Sequence, residues 1–174
     1  VGSKMVLWGG SNSGTAINTG AVYDTISDTW TTMSSVQAPP ARFFPKSPVV
    51  GSKVVVWGEL SNDTSGSVYD VSTDTWTPIS TTSNAPPSAR RFHSAAWTGT
   101  KMFLWGGLSA SAYLSEGAMY DPGADTWSTV SATSEPASRY RATAAYTGSK
   151  GLVWGGFNST GFLSTGGQYD PVSD

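Results

Sequence analysis

Gly99-Thr100-Lys101-Met102-Phe103-Leu104-Trp105-Gly106-Gly107 decides the fold, because the chain writes this stretch four times. It stands earlier as Gly2-Ser3-Lys4-Met5-Val6-Leu7-Trp8-Gly9-Gly10 and as Gly51-Ser52-Lys53-Val54-Val55-Val56-Trp57-Gly58-Glu59. The last copy is Gly148-Ser149-Lys150-Gly151-Leu152-Val153-Trp154-Gly155-Gly156. The Trp-Gly step recurs at intervals of 49, 48 and 49 residues. Two further markers keep this period: Tyr-Asp at Tyr23-Asp24, Tyr69-Asp70, Tyr120-Asp121 and Tyr169-Asp170, and Asp-Thr-Trp ending at Trp30, Trp76 and Trp127. An arginine (Arg42, Arg90, Arg139) stands nine residues ahead of the glycine that opens the second, third and fourth copies. Several ordered markers at one period define a structural repeat.

Each repeat reads as four short strands. The Met-Val-Leu-Trp type of run is apolar on both faces, as a strand sandwiched between neighbouring sheets requires. The strand after each arginine is small-sided, as in Ser94-Ala95-Ala96 and Thr143-Ala144-Ala145, which suits a place where sheets converge on one axis. Gly-Ser-Lys and Asp-x-x-x-Asp supply turn chemistry. Four strands per period, repeated radially, make a β-propeller blade. The expected fold is all-β, with four-stranded antiparallel blades over repeat units of approximately 1–41, 42–89, 90–138 and 139–174. That is three and a half blades.

The ordered set of arginine, small apolar strand, Trp-Gly-Gly, Tyr-Asp and Asp-Thr-Trp resembles the kelch repeat family across the whole chain. Departures are local: Glu59 replaces a glycine, and Gly151 and Gln168 stand at otherwise apolar strand positions. Pro45 and Pro48 fall within a first strand, tolerable on an edge. By the resemblance a closed propeller has roughly six or seven blades. The chain is therefore expected to be a fragment of a longer parent, or one subunit of a homo-oligomer that supplies the missing blades.

Composition narrows the function classes. The 174 residues carry a formal net charge of −2 with only 13% charged residues, so nothing in the bulk charge recruits nucleic acid or acidic lipid. No apolar run approaches the roughly 20 residues of a membrane-spanning helix. The chain holds 27 Ser, 21 Thr, 20 Gly and 10 Pro, a strand-and-turn composition. With no cysteine there is no disulfide scaffold, thiolate metal site or cysteine nucleophile.

Repetition also sorts the polar residues. Asp24, Asp28, Asp70, Asp74, Asp121, Asp125, Asp170 and Asp174 form Asp-x-x-x-Asp pairs, read as turn formers whose carboxylates accept backbone amides. The uncommitted acids are Glu59, Asp63, Glu116 and Glu135, and the uncommitted bases are Arg42, Lys46, Arg90, Arg91, Arg139 and Arg141. All of them fall in or next to the two loop types that emerge on one blade face, where function is expected. Arg42, Arg90 and Arg139 either bond carbonyls of a neighbouring loop or ring the channel mouth as an anion-binding collar. Arg91 and Arg141 stand at non-equivalent positions, so repetition does not explain them.

Tyr113, Leu114, Phe157, Phe162 and Leu163 lie in the long loops after Trp-Gly-Gly. They either anchor a ligand or shield a neighbouring blade. Asn62-Asp63-Thr64 and Asn158-Ser159-Thr160 match the glycosylation acceptor pattern. His93 is the lone histidine and reads as structural.

The resemblance implies a non-catalytic scaffold that presents one loop-rich face to a protein partner or an acidic carbohydrate, with no cofactor and no metal. Its candidate ligand residues are Arg42, Arg90, Arg91, Arg139, Arg141, Glu59, Glu116, Tyr113, Phe157 and Phe162. Galactose oxidase, a copper enzyme on a kelch scaffold, uses a cysteine and two histidines that this chain lacks. Kelch-type sialate epimerases use channel-mouth arginine and glutamate, so sugar-acid chemistry by Arg90 or Arg139 with Glu59 or Glu116 is the alternative from another class. A purely structural assembly module is a third reading. The Ser/Thr-rich wording resembles bacterial extracellular kelch proteins, which implies an extracellular or periplasmic setting.

Overall fold

The computed structural model of the chain describes residues 1–59, 62–82 and 86–173. Asp174, the second member of the last aspartate pair, lies outside the described residues. Among those described there is no helix; every regular element is a strand.

The first blade holds β1 (Lys4–Trp8), the hairpin of β2 (Ser11–Asn12) and β3 (Thr15–Ala16), β4 (Gly20–Asp24) and β5 (Thr29–Thr32). The second holds β6 (Val49–Val50), β7 (Lys53–Trp57), β8 (Gly66–Asp70) and β9 (Thr75–Pro78). The third holds β10 (Ser94–Trp97), β11 (Met102–Trp105), β12 (Gly117–Asp121) and β13 (Thr126–Thr129). The fourth holds β14 (Thr143–Tyr146), β15 (Gly151–Trp154), the hairpin of β16 (Phe157–Asn158) and β17 (Gly161–Phe162), and β18 (Gly166–Tyr169). The sheets run β1-β4-β5, β6-β7-β8-β9, β10-β11-β12-β13 and β14-β15-β18, all antiparallel. The four-stranded antiparallel blade expected from the repeat is thus formed in full by the second and third repeats.

The sequence markers are cross-strand partners. Tyr23 faces Trp30, Tyr69 faces Trp76 and Tyr120 faces Trp127 in the register of their sheets. Each pair packs ring on ring with centroids 4.9–5.0 Å apart, a contact type that contributes about 0.5–1.5 kcal/mol beyond its area. The third strands open on glycine because the second-strand indole lies against its Cα. At Gly117 a Cβ would stand 2.8 Å from Trp105 Cδ1.

Two compact units result: Val1–Trp57 with Ser65–Ile79, and Gly58–Thr64 with the chain from Ser80 onward. The first unit's core gathers Val22, Met33, Val54, Val56, Tyr69 and Trp76, with Trp8 edge-on to Trp76 at 5.4 Å. Phe103, Trp105, Met119 and Val153 form the second unit's core, flanked by Ala96, Ala144 and Tyr169. All four residues of β11 are buried, as are Val54 to Trp57 of β7, matching the two-sided apolar pattern. In β1, by contrast, Met5 and Leu7 are exposed, and in β15 Trp154 is exposed.

Small first strands serve their expected purpose in the second unit. β10 and β14 lie against each other, and Ser94 Oγ donates to Ala142 O at 2.7 Å. In the second blade the first strand shrinks to Val49–Val50, since Pro45 and Pro48 have no N–H for a ladder.

Candidate functional site

The three repeat arginines are buried structural clasps. In the first unit Arg42 donates from Nε to Pro40 O and from Nη1 to Ser65 O. In the second, Arg90 donates from Nε to Ser88 O, from Nη1 to Gly106 O and Glu116 O, and from Nη2 to Ser88 Oγ and the Glu116 carboxylate. Arg139 repeats the scheme with Ala137 O, Gly155 O, Thr165 O and Thr165 Oγ1. The fork of five N–H donors suits this, because one guanidinium satisfies carbonyls on two loops at once. Burial pushes the ionisation of Arg90 and Arg139 down, opposed at Arg90 by Glu116. Arg42, Arg90 and Arg139 are at most 1% exposed, so of the two alternatives the arginines take the carbonyl-bonding one and do not form an anion-binding collar. A ligand arriving from solvent does not reach them.

The carboxylates sort in a similar way. Glu116 is exposed but paired with Arg90 and accepts from Ser88 Oγ at 2.7 Å. Glu59, expected on the ligand face, is buried. Its two oxygens accept the Phe92 N–H at 2.9 and 3.0 Å, and Oε1 lies 3.4 Å from His93 Nδ1. Of the residues named for sugar-acid chemistry, Arg90, Arg139 and Glu59 are closed to solvent and Glu116 is exposed.

The first member of each aspartate pair accepts turn amides as expected: Asp24 from Ile26 and Ser27, Asp70 from Ser72, Asp121 from Gly123 and Ala124. The second member does something repetition alone did not reveal. Asp74 accepts the Tyr69 hydroxyl and the backbone N–H of Ser34, and Asp125 accepts the Tyr120 hydroxyl and the N–H of Ser80. Asn158 of the second glycosylation pattern is buried; its amide donates to Ser138 O and its oxygen accepts from Thr160, so it is no acceptor for a glycan. Among the described residues, no cluster of three or more His, Asp or Glu is arranged to hold a metal ion.

What the second unit leaves on its surface is an aromatic and cationic row. Arg91 and Leu108 exchange backbone hydrogen bonds at 3.0 and 2.9 Å, Tyr140 and Phe157 do the same at 3.0 Å, and Leu108 bridges to Tyr113. Arg141 N–H donates to Phe92 O at 2.8 Å. These bridges set four loop segments side by side. Their rings form a chain: Phe92 to Tyr140 at 5.9 Å, Tyr140 stacked on Tyr113 at 5.6 Å and edge-on to Phe157 at 5.6 Å, then Phe157 to Phe162 at 5.2 Å. Phe162, paired with Phe157 at the open end of the β16–β17 hairpin, is 93% exposed.

Two guanidinium groups converge on one ring of this row. Arg141 Cζ stands 4.6 Å and Arg91 Cζ 5.5 Å from the Phe92 centroid, and Arg141 also lies 5.7 Å from Tyr140. Both arginines are exposed, and among the described residues neither has an ion-pair partner. Stacked guanidiniums keep their in-plane N–H donors for a ligand, a geometry suited to carboxylate.

The structure thus brings together Arg91, Arg141, Tyr113, Phe157 and Phe162 and buries Arg42, Arg90, Arg139 and Glu59, while Glu116 stays exposed in its pair with Arg90. Phe92 and Tyr140 were missed. Their signal was present: the two residues after each repeat arginine are Phe43-Phe44, Arg91-Phe92 and Tyr140-Arg141, always aromatic or arginine. A family model, the KLHDC2/KLHL20/DRC7 Kelch-repeats domain, matches residues 1–174. The search of curated proteins returned no match.

Proposed function

The chain belongs to the kelch-repeat family, and from that premise we propose that its second unit is a non-catalytic module that binds a protein segment bearing carboxylates. Kelch domains generally mediate protein–protein interactions. The observation that carries the finer reading is the convergence of Arg91 and Arg141 on Phe92, at one end of an aromatic row that ends in exposed Phe162. Aromatic and arginine side chains dominate the energetics of protein interfaces. The row offers an apolar anchor, and the two cations select the partner's charge and speed its approach.

A random peptide library selected on the immobilised domain tests this. Selected peptides are expected to be rich in Asp and Glu beside an apolar residue. The tightest, carrying a fluorophore, is then titrated by anisotropy. R91Q/R141Q should weaken it at least about tenfold, or 1.4 kcal/mol, and F162A by about 1–2 kcal/mol. Equal binding by R91Q/R141Q would sink the reading. So would binding of an acidic polysaccharide with no peptide enriched, which would favour an acidic-glycan ligand instead.

A further inference from the structure

Glu59 stands where the other three repeats have Gly10, Gly107 and Gly156. Its backbone keeps the left-handed conformation of that position, φ +70°, against +102°, +109° and +92° at the glycines. A side chain resists that conformation, and a buried carboxylate loses its hydration. Glycine carries neither penalty, so the carboxylate supplies something glycine does not.

What it supplies is a clamp on two consecutive residues, Phe92 and His93. The backbone N–H of Glu59 donates to Arg90 O at 2.8 Å just as Gly10 and Gly107 donate to Arg42 O and Arg139 O, whereas the carboxylate adds the Phe92 N–H and sets Oε1 3.4 Å from His93 Nδ1. The clamped segment has its own left-handed residue, Phe92 at φ +55°. Phe92 in turn accepts the N–H of Arg141, itself at φ +55°. At Gly107 and Gly156 a Cβ would stand within 3.2 Å of atoms of the adjoining loop, so neither place has room for such a clamp.

We infer that Glu59 is a positioning residue for the Arg91–Phe92–Arg141 cluster, acting through the Phe92 backbone to hold that ring where both guanidiniums stack. This rests on the proposed binding reading for its consequence, though its geometric part stands alone.

The test compares E59G, E59D and E59Q in the full chain. The three readouts are hydrogen exchange of the Phe92 amide, the ring-current shift of the Arg141 δ-protons, and anisotropy with the library-selected acidic peptide. E59G restores the repeat residue and should fold. In it Phe92 exchange should rise at least about tenfold, the Arg141 shift should move toward its free value and peptide binding should weaken about fivefold or more. E59D keeps the charge on a stem too short to reach and should behave like E59G. E59Q keeps an acceptor oxygen and should bind within about threefold of the parent. Unchanged exchange, shift and binding in E59G overturn the inference, and if E59G does not fold, the same result in E59D does so. If R91Q/R141Q binds normally while E59G still moves the Arg141 shift, the binding reading has failed and the positioning role has not. If R91Q/R141Q loses the peptide while E59G changes neither the Arg141 shift nor peptide binding, only the positioning role has failed.

Discussion

Arg139 shows how much of a repeat motif is architecture. Its guanidinium donates to Ala137 O, Gly155 O, Thr165 O and Thr165 Oγ1, and no carboxylate shares the load. Lysine keeps the charge but not the fork, so R139K leaves several part-buried carbonyls without a donor. R139K should lose about 2–4 kcal/mol of stability, read as a lower urea midpoint at an unchanged slope. An R139K midpoint equal to the parent would mean that the arginine is dispensable to the fold. The position of this residue was plain in the sequence, but its direction was not. A period says which residues are equivalent; it does not say whether an arginine turns toward a channel or back onto its own loop. Arg91 and Arg141 were separable from it only because they broke the period.

At the scale of elements, compensation between strands explains a residue that the pattern alone left odd. Gly151 opens β15 where β7 and β11 have Val54 and Met102. A Cβ there would lie 3.2–3.4 Å from three carbons of the Phe103 ring, which stacks on Tyr169 at 5.6 Å and 5°. Phe103 is larger than Val55, its counterpart in β7, and Gly151 makes the room. G151V alone should cost about 1–3 kcal/mol through overpacking, and F103V alone about 2–4 through the void it leaves. The double variant should recover at least about 1 kcal/mol of their sum in urea denaturation; strict additivity would show that the two sites are not coupled. Strand order and register were legible because Tyr-Asp, Asp-Thr-Trp and Trp-Gly each mark one fixed place in a blade. The coupling of Phe103 to Gly151 was not, since it joins two different repeats and a period compares only equivalent positions. The same blindness hid the contact of Glu59 with Phe92. Phe92 and Tyr140 were visible as a pattern after the repeat arginines, but their ring-to-ring row depends on loops whose approach no repeat length encodes.

At the scale of the whole molecule, one latch recurs in both compact units and gives the chain a common pH response. Tyr69 in the first unit donates to Asp74 at 2.7 Å, and Tyr120 in the second donates to Asp125 at 2.9 Å. Burial, followed by the hydrogen bond to the aspartate, holds both phenols well above the ordinary tyrosine value of 10.0. In the unfolded chain these phenols ionise near that ordinary value, whereas in the fold they stay protonated. Above it, therefore, the native state binds more protons than the unfolded state, and stability falls as pH rises. Each latch should steepen that fall by about 1.4 kcal/mol per pH unit. Between neutrality and the ordinary tyrosine value the latches are intact and this contribution is flat. Urea midpoints taken from neutral to strongly alkaline pH should show the decline setting in near the ordinary phenol value. Y69F/Y120F should begin lower at neutral pH, by about 1 kcal/mol for each lost hydrogen bond, and should then show a shallower alkaline decline. A double variant that falls as steeply as the parent would place the alkaline response elsewhere and leave the two latches as neutral hydrogen bonds without linkage to folding.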